Sequence, residues 1–195
     1  MIEPIHHPFV LPKWRGNTFA DDFRSDLVGS EPQGWSMLVG GFTVEPYGLL
    51  IPPQKVNDLA AYIPHPATEN CEIECEFVLQ SSAGIGNTQC LLAWVQNATN
   101  YYAGGAGGDG YYVNLQKNVA GTVVNLGGQS GSFPQNIPVP IRFRKDGTKL
   151  TATVGSQTVS VVDSSLTGKG YIGLFTPNAQ TTATGYIPWI RAKVW

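Results

Sequence analysis

Charged side chains are scarce in this 195-residue sequence. Lys, Arg, Asp and Glu together make up 13% of it, and the formal net charge is −2. An average domain has roughly twice that charged fraction, about 25%. Proteins that grip nucleic acid through its phosphates carry a surplus of positive charge, and this sequence has none. We therefore expect no nucleic-acid partner.

Long hydrophobic runs are also missing. No stretch approaches the ~20 apolar residues of a membrane-spanning helix. The first residues, MIEPIHHPFVLPKWRGN, contain no apolar segment of the kind that a secretory signal needs. We expect no membrane partner, no signal peptide, and synthesis in the cytoplasm.

Cysteine occurs three times, so at least one thiol is unpaired. Cys71 and Cys75 are four positions apart, which is roughly 13 Å along an extended strand and too far for a disulfide. We expect buried, reduced thiols. A bridge between Cys75 and Cys90 is the alternative.

Glycine and proline, by contrast, are abundant, with 23 and 14 residues, which disfavours a helical protein. Short segments of alternating apolar and polar residues are separated by turn sequences such as KDGT and VGSQ. The alternating apolar positions in 141–154 are Ile141, Phe143, Leu150, Ala152 and Val154. This pattern predicts an all-β sandwich in a single domain over residues 20–195.

Residues 1–19 differ from the rest. Repeated prolines forbid helix and central strand there, while the apolar residues Ile5, Phe9, Leu11 and Trp14 remain. We interpret this segment as an extended assembly arm. It would lie on its own domain, on another copy of the chain, or on a neighbouring structural protein.

A family resemblance emerges from the order of several pieces. These are DDF at 21–23, Trp35, GGFTVEPYGLL at 40–50, CEIECEFVL at 71–79, NYY at 100–102, IRFRKDGTKLTATVGSQTV at 141–159 and GYIGLF at 170–175. Together they resemble the concanavalin A-like superfamily of lectins and glucanases. The resemblance implies a jelly-roll β-sandwich of two antiparallel sheets. The sequence departs from that pattern at its end, GYIPWIRAKVW.

Three glutamates alternate in CEIECEF, at Glu72, Glu74 and Glu76, and share one face of a strand. In the resembling β-glucanases an E-x-D-x-E motif is catalytic, so the resemblance implies a possible glycoside hydrolase using these residues. The alternative is a structural acidic face paired with Arg142 and Arg144 on another strand, or an acidic ligand-contacting face. We favour a protein without catalytic activity.

A carbohydrate site is the second hypothesis. Sugars need flat aromatic surface beside amides and carboxylates. The sequence offers such residues around a glycine-rich loop, and Glu74 and Glu76 are expected on the same sheet. The predicted carbohydrate-binding residues are Glu74, Glu76, Trp94, Tyr102, Tyr112, Asn114 and Gln116.

These observations predict a lectin-like module for carbohydrate binding or adhesion within a larger assembly, with a phage virion (a decoration, tail or fibre protein) as the preferred setting. The expected partner is a glycan or a cell-surface polysaccharide. A hydrolase and a purely structural subunit remain alternatives. We expect no cofactor; Asp21, Asp22 and Asp109 are potential calcium ligands, but their spacing does not define a site.

Overall fold

The computed structural model describes residues 13–39, 41–51, 59–64, 67–81, 90–107, 111–176 and 184–195. Their regular structure is entirely β-strand, and no helix among them is long and apolar enough to cross a membrane. The strands are Trp14–Arg15 (β1), Thr18–Asp21 (β2), Ser36–Val39 (β3), Thr43–Glu45 (β4), Gly48–Ile51 (β5), Leu59–Tyr62 (β6), Cys71–Ser81 (β7), Cys90–Asn97 (β8), Asn100–Ala106 (β9), Tyr111–Val119 (β10), Thr122–Ser130 (β11), Val139–Asp146 (β12), Lys149–Val154 (β13), Gln157–Val162 (β14), Tyr171–Thr176 (β15), Thr184–Ile187 (β16) and Ile190–Val194 (β17).

The strands form two antiparallel sheets. In the ten-stranded sheet the order is β1-β2-β17-β7-β12-β13-β14, and β16, β5 and β4 extend it beside β7. The seven-stranded sheet has the order β11-β10-β9-β8-β15-β6-β3. The predicted all-β jelly-roll sandwich is thereby confirmed.

Alternation places the core between the sheets. On β12, Ile141 and Phe143 are buried, whereas Arg142 and Arg144 are exposed. Phe143 joins a large cluster of buried side chains contributed by both sheets. Burying one such side chain stabilises the fold by ~1.5–3 kcal/mol, so the inward positions of the strands determine which face turns to solvent.

A second, smaller apolar cluster lies on the outer face of the seven-stranded sheet, and we call it the outer cluster. Its buried members are Leu91, Ala93, Val95, Tyr101, Ala103 and Phe175. Strand β8 is consequently apolar on both faces, and this is why the run CLLAWV shows no alternation.

The predicted arm is partly described. Residues 13–19 belong to the ten-stranded sheet, where β1 pairs with β2 and the rings of Trp14 and Phe19 lie 5.3 Å apart. Ile5, Phe9 and Leu11 lie outside the described residues, so the arm upstream of Lys13 and its partners stay a prediction.

The three cysteines are buried and reduced, as expected. All belong to the main core. Burial raises the pKa of the Cys71 thiol to about 12, which keeps it protonated and unreactive.

Candidate functional site

Three amide side chains alternate along β10 and point away from the core. Val113 and Leu115, on either side of Asn114, are buried in the main core, so Asn114 and, by alternation, Gln116 and Asn118 occupy the outer face of the seven-stranded sheet. Their exposed fractions are only 6%, 5% and 7%. We call these three residues the amide row.

The amide row is short of hydrogen-bond partners. Asn114 Nδ2 donates to Gln116 Oε1 at 3.4 Å. Three further atoms, Asn114 Oδ1, Gln116 Nε2 and Asn118 Oδ1, are buried without a partner. A buried polar atom left in this state costs ~1–3 kcal/mol. The row therefore presents acceptors and donors that nothing in the described protein satisfies.

Tyrosines share this face with the amide row. The strand register sets Gln116 opposite Ala103, Ala103 opposite Ala93, Ala93 opposite Gly173, and Gly173 opposite Tyr62. Tyr62 and Gln116 are thus four strand spacings apart, about 19 Å at ~4.8 Å each. The residues between them are small, and Ala93 and Ala103 are 0% exposed.

The aromatic end of this face is more accessible than the amide end. Tyr62 and Tyr171 are half-buried and their ring centroids lie 5.1 Å apart. We call them the tyrosine pair. A neighbouring register row connects Tyr171 through Val95 and Tyr101 to Asn118. Flat rings and amides, both uncharged, are therefore combined on one surface.

Two of the predicted sugar-binding aromatics are instead in the core, which corrects the sequence-based assignment. Trp94 and Tyr102 are 0% exposed. The Trp94 indole N–H donates to the Thr68 carbonyl at 2.7 Å, and the Tyr102 hydroxyl donates to Asp163 Oδ1 at 2.6 Å. Both rings therefore tie loops to the interior and have no face to offer a glycan.

Tyr112 is a third predicted residue that lies away from the amide row. A register shift between Tyr111 and Val113 interrupts the alternation at this point, and Tyr112 packs on Phe133 with centroids 5.6 Å apart. Burial raises the pKa of its hydroxyl. Its ring packs against the main core rather than on the outer face.

The glutamates lie on the other sheet, so the prediction that they share a surface with Asn114 and Gln116 is wrong. Alternation along a strand identifies a common face, but it does not identify which strands are neighbours. Glu74 pairs with Arg142 at 3.4 Å and with Arg191 at 3.2 Å, and Glu72 pairs with Arg144 at 3.7 Å. For Glu76 the register places Pro140 opposite.

A cavity of about 1080 Å³ lies over the β1-β2-β17-β7 part of the ten-stranded sheet. Its walls include Glu72, Glu74, Arg15, Lys193 and Trp189. We call it the charged groove. The predicted acidic face is therefore both open to a groove and paired with arginines.

Two of the potential calcium ligands, Asp21 and Asp22, lie beside basic side chains. The Lys13 ammonium lies 2.9 Å from Asp21 Oδ2 and also contacts Asp26. Asp22 is exposed beside Arg24, and Asp109 lies outside the described residues. In the part of the chain that the structure describes, no three His, Cys, Asp or Glu side chains gather into a metal site.

Sequence reasoning missed part of this face. Alternation along YYVNLQKN continues to Asn118, so that residue was within reach of the pattern. Tyr62, Tyr101 and Tyr171 come from three other strands, and only the strand register brings them onto the same face.

Comparison with known proteins gives the fold. No family model and no curated protein matches the sequence. Among solved structures, the carbohydrate-binding module CBM66 from Bacillus subtilis superposes with a TM-score of 0.65 at 15% identity, covering 83% of this chain and 94% of that chain. The exoplasmic/lumenal domain of VIP36 in its Ca²⁺/Man3GlcNAc-bound form gives 0.66 at 10% identity, with 86% and 88% covered.

A glycoside hydrolase structure is also similar. A mutant of the GH43 protein BlXynB from Bacillus licheniformis superposes with a TM-score of 0.64 at 13% identity, covering 95% of this chain but 40% of that one. This chain thus spans less than half of the hydrolase. These likenesses establish a concanavalin A-like jelly roll, in agreement with the resemblance in the sequence.

Proposed function

We propose that this chain is a non-catalytic carbohydrate-binding domain that holds a neutral glycan against the amide row and the tyrosine pair. The observation that carries the proposal is the set of buried, unpartnered amide atoms at Asn114, Gln116 and Asn118. A bound ligand would supply the missing hydrogen bonds.

Carbohydrate chemistry fits this surface. Each hydroxyl both donates and accepts a hydrogen bond, and the amide row offers two free acceptors and one free NH₂ donor. The C–H faces of a sugar ring pack on flat aromatic surface, which the tyrosine pair provides. The shared fold with a carbohydrate-binding module and with the Man3GlcNAc-bound domain of VIP36 supports the same class of ligand.

The low exposure of the amide row has a kinetic consequence. Because its members are at most 7% exposed, a ligand reaches the free atoms only after the surface above them opens. Association is then slower than the ~10⁵–10⁷ M⁻¹s⁻¹ typical of a preformed surface.

A hydrolase is the less favoured function. Oxygens of Glu72 and Glu74 contact guanidinium groups, which favours the structural interpretation of the acidic face. The interior aromatics Trp94 and Tyr102 shape no cleft beside them. Adhesion, a virion setting and oligomerisation through Ile5, Phe9 and Leu11 belong to the same proposal and rest on the sequence alone.

The test replaces amides by apolar side chains of similar size. Asn114→Leu combined with Gln116→Met removes unpartnered polar atoms, so the free energy of unfolding should rise by ~1–3 kcal/mol. If these atoms bind sugar, the same variant should lose at least about tenfold in affinity for the neutral glycan that wild type selects on an array.

Gln157→Met is the matched control. Gln157 Oε1 is also buried without a partner, but it lies on β14 in the other sheet. This variant should gain stability and keep its glycan binding. Undiminished binding by the Asn114→Leu/Gln116→Met protein would remove the proposed site.

A further inference from the structure

The charged groove is a second surface, on the sheet opposite the amide row. Its volume of about 1080 Å³ is at the upper end of the range of ligand pockets, ~300–1,000 Å³. Unlike the neutral face, it is lined by side chains of both signs.

Most of the charges in the groove already have partners. Lys13 contacts the carboxylates of Asp21 and Asp26. Arg191 lies 3.2 Å from Glu74, and Arg24 lies 3.7 Å from Asp22. Glu72 pairs with Arg144 at 3.7 Å. The positive and negative charges in these ion pairs offset one another, so they attract a charged ligand only weakly.

Arg15 and Lys193 are the exceptions. Both are exposed and line the groove, and neither has a carboxylate within 4.0 Å among the described residues. The register sets Arg15 opposite Thr18 and Thr18 opposite Lys193. The two cations therefore flank Thr18, with Cα atoms two strand spacings apart, roughly 10 Å.

We propose that Arg15 and Lys193 bind an anionic group, a carboxylate or a sulfate, carried by a carbohydrate in the charged groove. Half-buried Trp189 adds aromatic surface to the same groove, which suits a sugar ring. Glu72 and Asp22 also line it. DNA, with one charge per ~1.7 Å of its axis, would bring phosphates against these carboxylates.

This site does not rest on the neutral glycan site, because the two lie on different sheets. The experiment measures calorimetric binding of an oligogalacturonate, of its neutral methyl ester, of a sulfated galactan oligomer and of a single-stranded DNA oligomer. Wild type should bind the oligogalacturonate or the sulfated oligomer more tightly than the ester, and added salt should weaken that binding. The preferred acidic oligomer identifies the anionic group.

The decisive variant is Arg15→Gln combined with Lys193→Gln. It should lose at least about tenfold in affinity for the acidic oligomer, the effect of removing two partly exposed charge contacts. Lys149→Gln with Lys169→Gln removes the same net charge from exposed positions outside the groove, and should bind as wild type does. The Asn114→Leu/Gln116→Met protein should also retain acidic binding, which separates this site from the neutral one.

Several outcomes would overturn the proposal. They are an affinity for the ester that equals or exceeds the affinity for both acidic oligomers, no binding of either acidic oligomer, an unchanged affinity in the Arg15/Lys193 variant, an equal loss in the Lys149/Lys169 control, and a preference for the DNA oligomer.

Discussion

The two outer faces of the sandwich treat their polar side chains in opposite ways. On the ten-stranded sheet, Glu74 contacts two arginines, and the hydroxyls of Thr151 and Ser160 are 3.0 Å apart in a hydrogen bond. On the seven-stranded sheet, amide atoms of Asn114 and Gln116 are buried and have no partner. On the ten-stranded sheet these solvent-accessible groups have protein partners although water could serve. On the seven-stranded sheet the buried amide atoms lack the hydrogen-bond partners that buried polar groups normally have.

The difference separates structural from functional polarity. Pairing across the ten-stranded sheet holds neighbouring strands together. Among the described charged residues that line its groove, Arg15 and Lys193 are without an ion pair. Unpaired atoms on the seven-stranded sheet cost stability that the fold does not recover by itself. A ligand that supplies the missing partners would turn this cost into affinity.

The largest effect is expected where pairing and burial coincide, at Lys13. Its ammonium contacts Asp21 and Asp26, whose side chains are 2% and 0% exposed, and donates to the Gln33 carbonyl at 2.7 Å. Lys13→Met leaves two buried carboxylates uncompensated. We expect a loss of ~3–5 kcal/mol in the free energy of unfolding, measured by urea denaturation.

Lys169→Met is the control, because Lys169 is exposed and has no ion pair among the described residues. It should change stability by less than ~0.5 kcal/mol. If both variants unfold at the same urea concentration, the Lys13 cluster is not the anchor that its burial implies.

A smaller, pH-dependent effect is expected at Asp163. Lys117 Nζ donates to its Oδ2 at 2.5 Å and Tyr102 donates to its Oδ1 at 2.6 Å. Burial alone would raise the pKa of Asp163, but the hydrogen bonds from Lys117, Tyr102 and Ser165 outweigh it and hold that pKa well below its usual range. Asp163→Asn should cost ~1.5–3 kcal/mol at pH 7, as for hydrogen bonds to a charged group.

The sign of the pH dependence follows from the lowered pKa. The ionised Asp163 stabilises the native state fully above its unfolded pKa of ~3.9, and this contribution disappears as the pH falls towards the native value. The stability gap between wild type and Asp163→Asn should therefore shrink between pH 5 and pH 2. Asp146→Asn, at a carboxylate 48% exposed, should show a much smaller gap. A gap that stays constant with pH would contradict the assignment.

How much of this arrangement the sequence predicts depends on the range of the interaction. Alternation within 141–154 predicted the inward positions of Phe143 and Leu150, because side-chain direction in a strand is local. The two-sheet jelly roll was implied by the resemblance of the ordered segments to the concanavalin A-like superfamily. Only the inward positions were worked out from neighbours in the chain.

The candidate site was predicted only in part. Asn114 and Gln116 were identified from their residue types and their alternation on one strand, but Trp94 was misplaced because β8 is apolar on both faces and shows no period. Glu74 was assigned to the wrong sheet, since strand order is set by contacts between distant segments. The tyrosine pair joins β6 and β15. These two strands are separated by over a hundred residues of chain.

The smallest stability change is expected at Glu74, and it separates the two readings of the acidic face. Glu74→Gln weakens ion pairs to Arg142 and Arg191, whose side chains are 56% and 58% exposed. Exposed pairs of this kind contribute ~0.2–1 kcal/mol, so the unfolding midpoint should hardly move. If the acidic face is only structural, neither wild type nor the variant should release reducing ends from mixed-linkage glucan or laminarin. Because a carboxylate in a glycosidase acts directly on the sugar, cleavage by wild type that Glu74→Gln abolishes without unfolding would show instead that the charged groove is an active site.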